Sequence, residues 1–279
     1  MKLGVSFFTF SPDVSILESI RACAKAGYEG IEPTLNEEGP FSFDSTEKDL
    51  LAIKQLAGDL GLEIPSIGAW KLWETPITSA DPRVREEAVD TVKRMLDAAA
   101  ILGADTILVV PGYVGNQSAP GSEVIPYDKA YDNALSCLRI LGEHASKVRV
   151  NIAIENVWNM FLLSPLEMRG FIDEIGSTWV GSYFDVGNII YIGYPEQWIH
   201  ILGERIRKVH VCDFRRGQAG MHGFVDILAG SVDFSKVMSA LRAIGYDDYL
   251  ILEALPNYEQ HPYQALYSNK VSLDYVLSL

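Results

Sequence analysis

Leu3-Gly4-Val5-Ser6-Phe7 is a short apolar run, and Phe8-Thr9-Phe10-Ser11-Pro12 follows it directly. The run has the length and residue types of a β-strand, and Ser11-Pro12 offers an N-cap and an N1 proline to a helix. Ile16, Ile20, Cys23 and Ala24 then recur at helical spacing until Gly27, which can adopt the left-handed turn that ends a helix. The turn between strand and helix decides the fold. An open, doubly wound nucleotide-binding sheet carries a glycine-rich phosphate loop at this point. Here Phe7, Phe8 and Phe10 stand instead.

The same unit recurs along the chain. Gly30-Ile31-Glu32 reads as a second short strand, 51–60 as a helix ended by Gly61, and 63–67 as a third strand. Asp81-Pro82 caps a long helix marked by Val84, Ala88, Val92, Met95 and Ala99; Gly103 closes it, and 106–110 is a fourth strand. A helix over 128–141 precedes strand five, 151–154, and Ser164-Pro165 caps the next helix, which Gly176 ends. Strand six is 181–184, a short helix covers 196–202, and strand seven is 208–211. Val237, Leu241 and Ile244 line a helix ending at Gly245, strand eight is 249–252, and a last helix runs over 262–277. Eight strands alternating with eight helices, without a Ser/Gly/Pro-rich linker, predict an α/β fold: a single (β/α)8 TIM barrel domain over residues 1–279.

Composition agrees with that reading. The chain has 279 residues and is 48% hydrophobic, enough for one large core. Its 37 acidic against 23 basic residues leave a net charge of −14, which disfavours nucleic acid and anionic membranes as partners. Cys23, Cys137 and Cys212 are too scattered for a disulfide framework or a CxxC metal site, and read as reduced thiols. The N-terminus leads straight into strand one without the apolar core of a signal peptide, and no apolar run approaches the ~20 residues of a membrane span. A cytoplasmic protein is expected, and a homodimer is compatible with the acidic surface.

In a barrel, active sites are built from residues at the C-terminal ends of the strands. Those ends carry Glu32 on strand two, Glu155-Asn156 after strand five, Asp185 after strand six, His210 and Asp213 on and after strand seven, and Glu253 after strand eight. Strands five to eight are neighbours ~4.8 Å apart, so Glu155, Asp185, His210 and Glu253 converge. Alone, each would read as a helix cap, an ion-pair partner or a core histidine. Together, three carboxylates in a low-dielectric mouth repel one another unless a cation sits among them. Carboxylates with one imidazole suit one divalent metal, Mn²⁺, Mg²⁺ or Co²⁺, with Zn²⁺ also within range.

Ile154-Glu155-Asn156, Phe184-Asp185-Val186-Gly187-Asn188, Val209-His210-Val211-Cys212-Asp213 and Leu252-Glu253 resemble the xylose isomerase-like barrel superfamily. Within it, they resemble the sugar and sugar-phosphate isomerases and ketose 3-epimerases, including those acting on pentulose phosphates, over essentially the whole chain. The resemblance implies a metal held by Glu155, Asp185, His210 and Glu253. It also implies an isomerase that epimerises C3 of a ketose through a metal-stabilised enediolate, with Glu155 and Glu253 as the catalytic acid–base pair.

The expected partner is a small-molecule sugar or sugar phosphate. Arg216 stands where related epimerases carry an arginine that contacts the ketose. Asn188 and Phe161 occupy positions where the free-sugar branch places a histidine and a glutamate, which turns the expectation toward a phosphorylated or otherwise modified sugar. Arg215, Arg216, His222 and backbone N–H groups over 217–223 could bind a phosphate. Trp70, Trp73 and Trp158 could lay an aromatic face against a sugar. The expected substrate contacts are therefore Asn188, Arg216, His222, Trp70 and Glu32.

Alternatives on the same metal site are aldose–ketose isomerisation and elimination on an oxidised sugar. An apurinic-site endonuclease needs further ligands on the early strands and a basic face. Strands three and four instead end in Ala69-Trp70 and Val110-Pro111, and the charge is −14.

Overall fold

Alternate residues of a β-strand face opposite sides, so a closed barrel sorts every second side chain into its interior. The computed structural model describes residues 1–279 except 12, 117, 118, 120, 219, 256, 257 and 259. Its barrel strands are β1 (Lys2–Ser6), β2 (Gly30–Glu32), β3 (Thr34–Leu35), β4 (Ser66–Ala69), β5 (Thr106–Val109), β6 (Asn151–Glu155), β7 (Val180–Asp185), β8 (Ile206–Val211) and, later in the chain, β11 (Tyr249–Leu252). They pair in the order β2-β1-β11-β8-β7-β6-β5-β4-β3, all in parallel. The two ends of that order are one strand interrupted at Pro33. Proline lacks the N–H a ladder needs, and its carbonyl still accepts from Gly68 N–H at 3.0 Å. Counted so, the sheet is an eight-stranded barrel.

Helices α1 (Ile16–Ala26), α2 (Glu47–Asp59), α3 (Pro82–Leu102), α4 (Tyr127–Val148), α5 (Pro165–Ile175), α6 (Gly187–Ile190), α7 (Pro195–Leu202), α8 (Phe234–Ala243) and α9 (Gln264–Ser278) follow the strands. Of the expected stripe on α3, Ala88, Val92, Met95 and Ala99 are buried, while Val84 in the first turn is half-buried. The cap of α1 is not where the sequence suggested. Pro12 lies outside the described residues, and α1 begins after Ser15, whose side chain and Glu18 form a reciprocal capping box. The local competition was between two serines four residues apart, and the reciprocal glutamate favours the second. The third barrel strand is also shifted, to 66–69 from the expected 63–67, with Glu63 left as a single bridge to Gly30.

The interior differs sharply between the two ends. Near the N-terminal ends of the strands, the Tyr249 ring fills the space beside Gly30, where an added Cβ would come within 2.6 Å of it. Lys208, its side chain only 2% exposed, is ion-paired with Asp105 at 2.9 Å and with Asp248. Two residues further along the same strand, His210 faces the other end of the barrel amid carboxylates. A two-stranded antiparallel ribbon, β9 (Asp213–Phe214) with β10 (Phe224–Val225), continues from that end of β8. Asp213 anchors it, accepting backbone N–H groups of Phe214, Gly230 and Val232 at 2.8, 2.9 and 3.1 Å. Among the described residues no helix is long and apolar enough to cross a membrane.

Candidate metal centre and active site

Glu155 is the last residue of β6, Asp185 the last of β7, His210 faces inward from β8, and Glu253 follows β11. Asp185 pairs directly with His210 in the ladder, His210 with Ile251, and Glu253 N–H bonds Val211 O at 3.1 Å. Covalent order and register therefore bring the four side chains to one height. One ligand atom from each lies within 4.8 Å of the others. Glu155, Asp185 and His210 are buried, while the Glu253 side chain is 27% exposed and opens the group to solvent.

The atom that matters most is His210 Nδ1. It is buried and makes no hydrogen bond, although Glu253 Oε2 lies 3.1 Å away and Glu155 Oε1 3.6 Å. A buried polar atom without a partner is rare and calls for an explanation. A divalent cation among three carboxylates would supply it, so the donor set fits a metal.

The surrounding residues hold this set in place. Asn156 lays its amide along the β7 backbone, donating to Asp185 O at 2.8 Å and accepting from Asp185 N–H at 3.0 Å. Asp185 Oδ1 accepts the Asn188 N–H at 2.6 Å, and the Cys212 thiol lies 3.2 Å from both carboxylate oxygens. Cys212 presses so closely on Gly187 that an added Cβ there would sit 2.5 Å from its sulfur.

Burial and mutual proximity shift the protonation of these groups. Burial, reinforced by the Glu253 and Glu155 charges, raises the Asp185 pKa well above the usual carboxylate range. Burial also raises Glu155 to about 7. Burial pulls the His210 pKa down, but the Glu253 and Glu32 charges outweigh it and the net shift is upward. Raised values favour protons at positions a cation could take. A divalent ion bound there would compete with those protons, so its apparent affinity should rise with pH, most steeply below about pH 7 for the Glu155 contribution. Calorimetric titration with Mn²⁺ in two buffers of different ionisation enthalpy should register proton release at pH 6, shrinking toward pH 8. Affinity independent of pH over that interval would contradict the site.

Several residues expected at the substrate sit elsewhere or are already engaged. Glu32 is 0% exposed and lies within the barrel, where its carboxylate bonds His210 Nε2 at 2.9 Å, Ser66 Oγ at 2.6 Å and the Tyr183 hydroxyl. Phe161 packs among Tyr127, Tyr131 and Phe171, so counting six residues on from Glu155 did not reach a position in the mouth. Positive φ angles at Met160 (57°) and Leu162 (54°) turn this loop more sharply than spacing could reveal. The Asn188 amide nitrogen donates to Asn156 O at 3.1 Å. Arg216 donates to Gly193 O at 3.0 Å and lies over the Tyr194 ring, 4.5 Å from its centroid. His222 is exposed on a 3-10 turn over 221–223. Trp70, 54% exposed, meets Phe8 edge-on at 4.4 Å and lines a cavity of about 420 Å³ with Phe7, Phe8 and Phe41. Trp158 donates to Asn188 O at 3.0 Å and packs on Phe214 and Phe224.

Ser66, Tyr183 and Cys212 were not singled out as site residues by the sequence reading. Tyr183 could have been found, because it precedes Asp185 by two and shares its face of β7. Nothing local distinguishes Ser66.

A sequence model of the family described as xylose isomerase-like TIM barrel matches residues 20–267. A ketose 3-epimerase of Arthrobacter globiformis is 26% identical, covering 85% of this chain and 76% of its own. The putative L-ribulose-5-phosphate 3-epimerase SgbU of Haemophilus influenzae is 22% identical, covering 94% and 91%. The crystal structure of D-psicose 3-epimerase from Clostridium cellulolyticum H10 with D-tagatose superposes with a TM-score of 0.83 over 100% of this chain and 99% of that one. At 14% identity, that superposition speaks to the fold.

Proposed function

The chain belongs to the xylose isomerase-like TIM barrel family, and from that membership we propose that it is a metal-dependent sugar epimerase acting at C3 of a ketose or ketose phosphate. One observation carries the proposal: three carboxylates converge on a buried imidazole nitrogen that has no hydrogen-bond partner. Two relatives with 3-epimerase names support the reaction class.

Glu155, Asp185, His210 and Glu253 would hold the cation. Bound there, a divalent ion supplies Lewis-acid stabilisation of the negative charge on an enediolate. The proton itself is moved by the chain. Glu155 and Glu253 come from strands separated by β7 and β8, so they approach the space between them from different sides. One takes the C3 proton, the other delivers a proton to the opposite face, and the reverse reaction exchanges their roles. Asp185 takes no part in that transfer, because Asn188 N–H and the Cys212 thiol already engage its oxygens. Its role is to hold the ion.

Asn188, Arg216, His222 and Trp70 are the proposed substrate contacts. Trp70 and Phe8 stand after β4 and β1, across the mouth from Asp185, and offer apolar faces to the carbons of a sugar. Arg216 and His222 lie in the β9–β10 connection, where a phosphate would find side-chain N–H donors.

Incubation in D₂O with pentuloses, hexuloses and their phosphates tests the reaction. Deuterium should enter C3 of the recovered ketose. Label at C1 or C2 would instead establish aldose–ketose isomerisation, and no exchange at any of these carbons would overturn the proposal.

A further inference from the structure

We infer that Glu32 is a positioning residue whose carboxylate takes the Nε2–H of His210 and so turns Nδ1 of the same ring into the ion site. This rests on the metal reading above and adds to it a residue that does not itself touch the ion.

Glu32 reaches His210 from far away in the ring of strands. It ends β2, and β1 and β11 lie between that strand and β8. Its side chain crosses the barrel interior to place Oε1 2.9 Å from Nε2. Oε2 is fixed independently, by the Ser66 hydroxyl from β4 at 2.6 Å and the Tyr183 hydroxyl from β7. The Tyr183 ring also packs against the imidazole, with centroids 4.4 Å apart and planes inclined by 57°. Three strands thus clamp one carboxylate, and that carboxylate and the tyrosine ring together hold the imidazole. With Nε2 committed, the other nitrogen is the one left without a hydrogen bond among Glu155, Asp185 and Glu253. Burying a carboxylate is costly, and an apolar side chain would fill the same space more easily. A carboxylate behind a metal-bound imidazole repays that cost, because it fixes the ring's orientation and raises its basicity as a ligand.

The arrangement also explains why Glu32 stands apart from the four-residue cluster although it lies against His210. Both of its oxygens are turned to hydrogen-bond donors. It serves the site through the histidine.

The test is calorimetric titration of metal-free protein with Mn²⁺, with the visible spectrum of the Co²⁺ complex as a second readout of ligand geometry. Glu32→Ala should weaken Mn²⁺ binding about ten- to a hundredfold and alter the Co²⁺ spectrum. Glu32→Gln keeps an oxygen that can accept the Nε2–H and should recover part of that loss, staying about three- to tenfold weaker than the unaltered protein. Tyr183→Phe, which leaves the Glu32–His210 bond in place, should fall closer to the unaltered protein than either. A purely structural role would lower the melting temperature and leave affinity and spectrum unmoved. If Glu32→Ala does not fold, Glu32→Gln carries the test, and unchanged affinity there overturns the inference. Absence of Mn²⁺ binding by the unaltered protein would sink the metal reading and this inference together. Binding that is lost in His210→Ala but retained in Glu32→Ala would sink this inference alone.

Discussion

Glu155→Gln and Glu253→Gln should each lower turnover by about 10²–10⁴-fold, the usual worth of a positioned acid or base. Glutamine keeps the shape and one acceptor oxygen but can neither take nor return a proton. Because both residues also face the ion site, metal content must be measured beside turnover. The expected pattern is a collapse in kcat with substrate binding largely retained, in protein that has been saturated with metal. Exchange in D₂O sharpens the distinction between the two residues. If Glu155 takes the proton from one C3 epimer, Glu155→Gln should stop the wash-in of deuterium from that epimer. Glu253→Gln should stop it from the other. The double variant should be little worse than either single one, since residues that act as a unit are strongly non-additive. Full turnover in either single variant would remove that residue from the proton path.

The second large effect is expected at His210. His210→Ala removes the single nitrogen donor of the cluster, and the loss of affinity should exceed the ~10–100-fold attached to an outer partner. Elemental analysis of purified protein should find metal in the unaltered chain and almost none in the variant. Stability should fall as well. His210 is the charged partner of Glu32, which is 0% exposed, and stripping a buried charge of its counter-charge costs ~3–5 kcal/mol. His210→Gln separates the two effects, because its amide can still donate toward Glu32 while offering a poorer ligand to the ion. It should melt nearer the unaltered protein than His210→Ala and still be depleted in metal. Equal metal content in the unaltered protein and His210→Ala would remove His210 from the ligand set.

Much of this was legible before any tertiary contact was known. The alternation of short apolar runs with helical stripes requires only local periodicity, and the aromatic turn after Ser6 argued against a nucleotide-binding sheet. Glu155, Asp185, His210 and Glu253 could be picked out because each sits at a strand end, and a barrel carries all strand ends to one face. Long-range contacts were not legible in this way. Phe161 was placed by counting along a loop, but two residues with positive φ turn that loop and Phe161 enters an aromatic cluster between α4 and α5. Glu32 is recognisable in the sequence as an acidic strand end. Its bonds to His210, Ser66 and Tyr183 come from strands far apart in the chain.

The sequence by itself determined the order of the elements, the closed barrel and the four residues at its mouth, because strand periodicity and covalent order are local properties. Only the tertiary structure decided what surrounds them. The clamp of Ser66, Tyr183 and Glu32 on His210 joins residues up to 178 positions apart, and no spacing rule records such a meeting. Which imidazole nitrogen faces the carboxylates is decided there too, by hydrogen bonds that form only after β2, β4, β7 and β8 have closed into one ring.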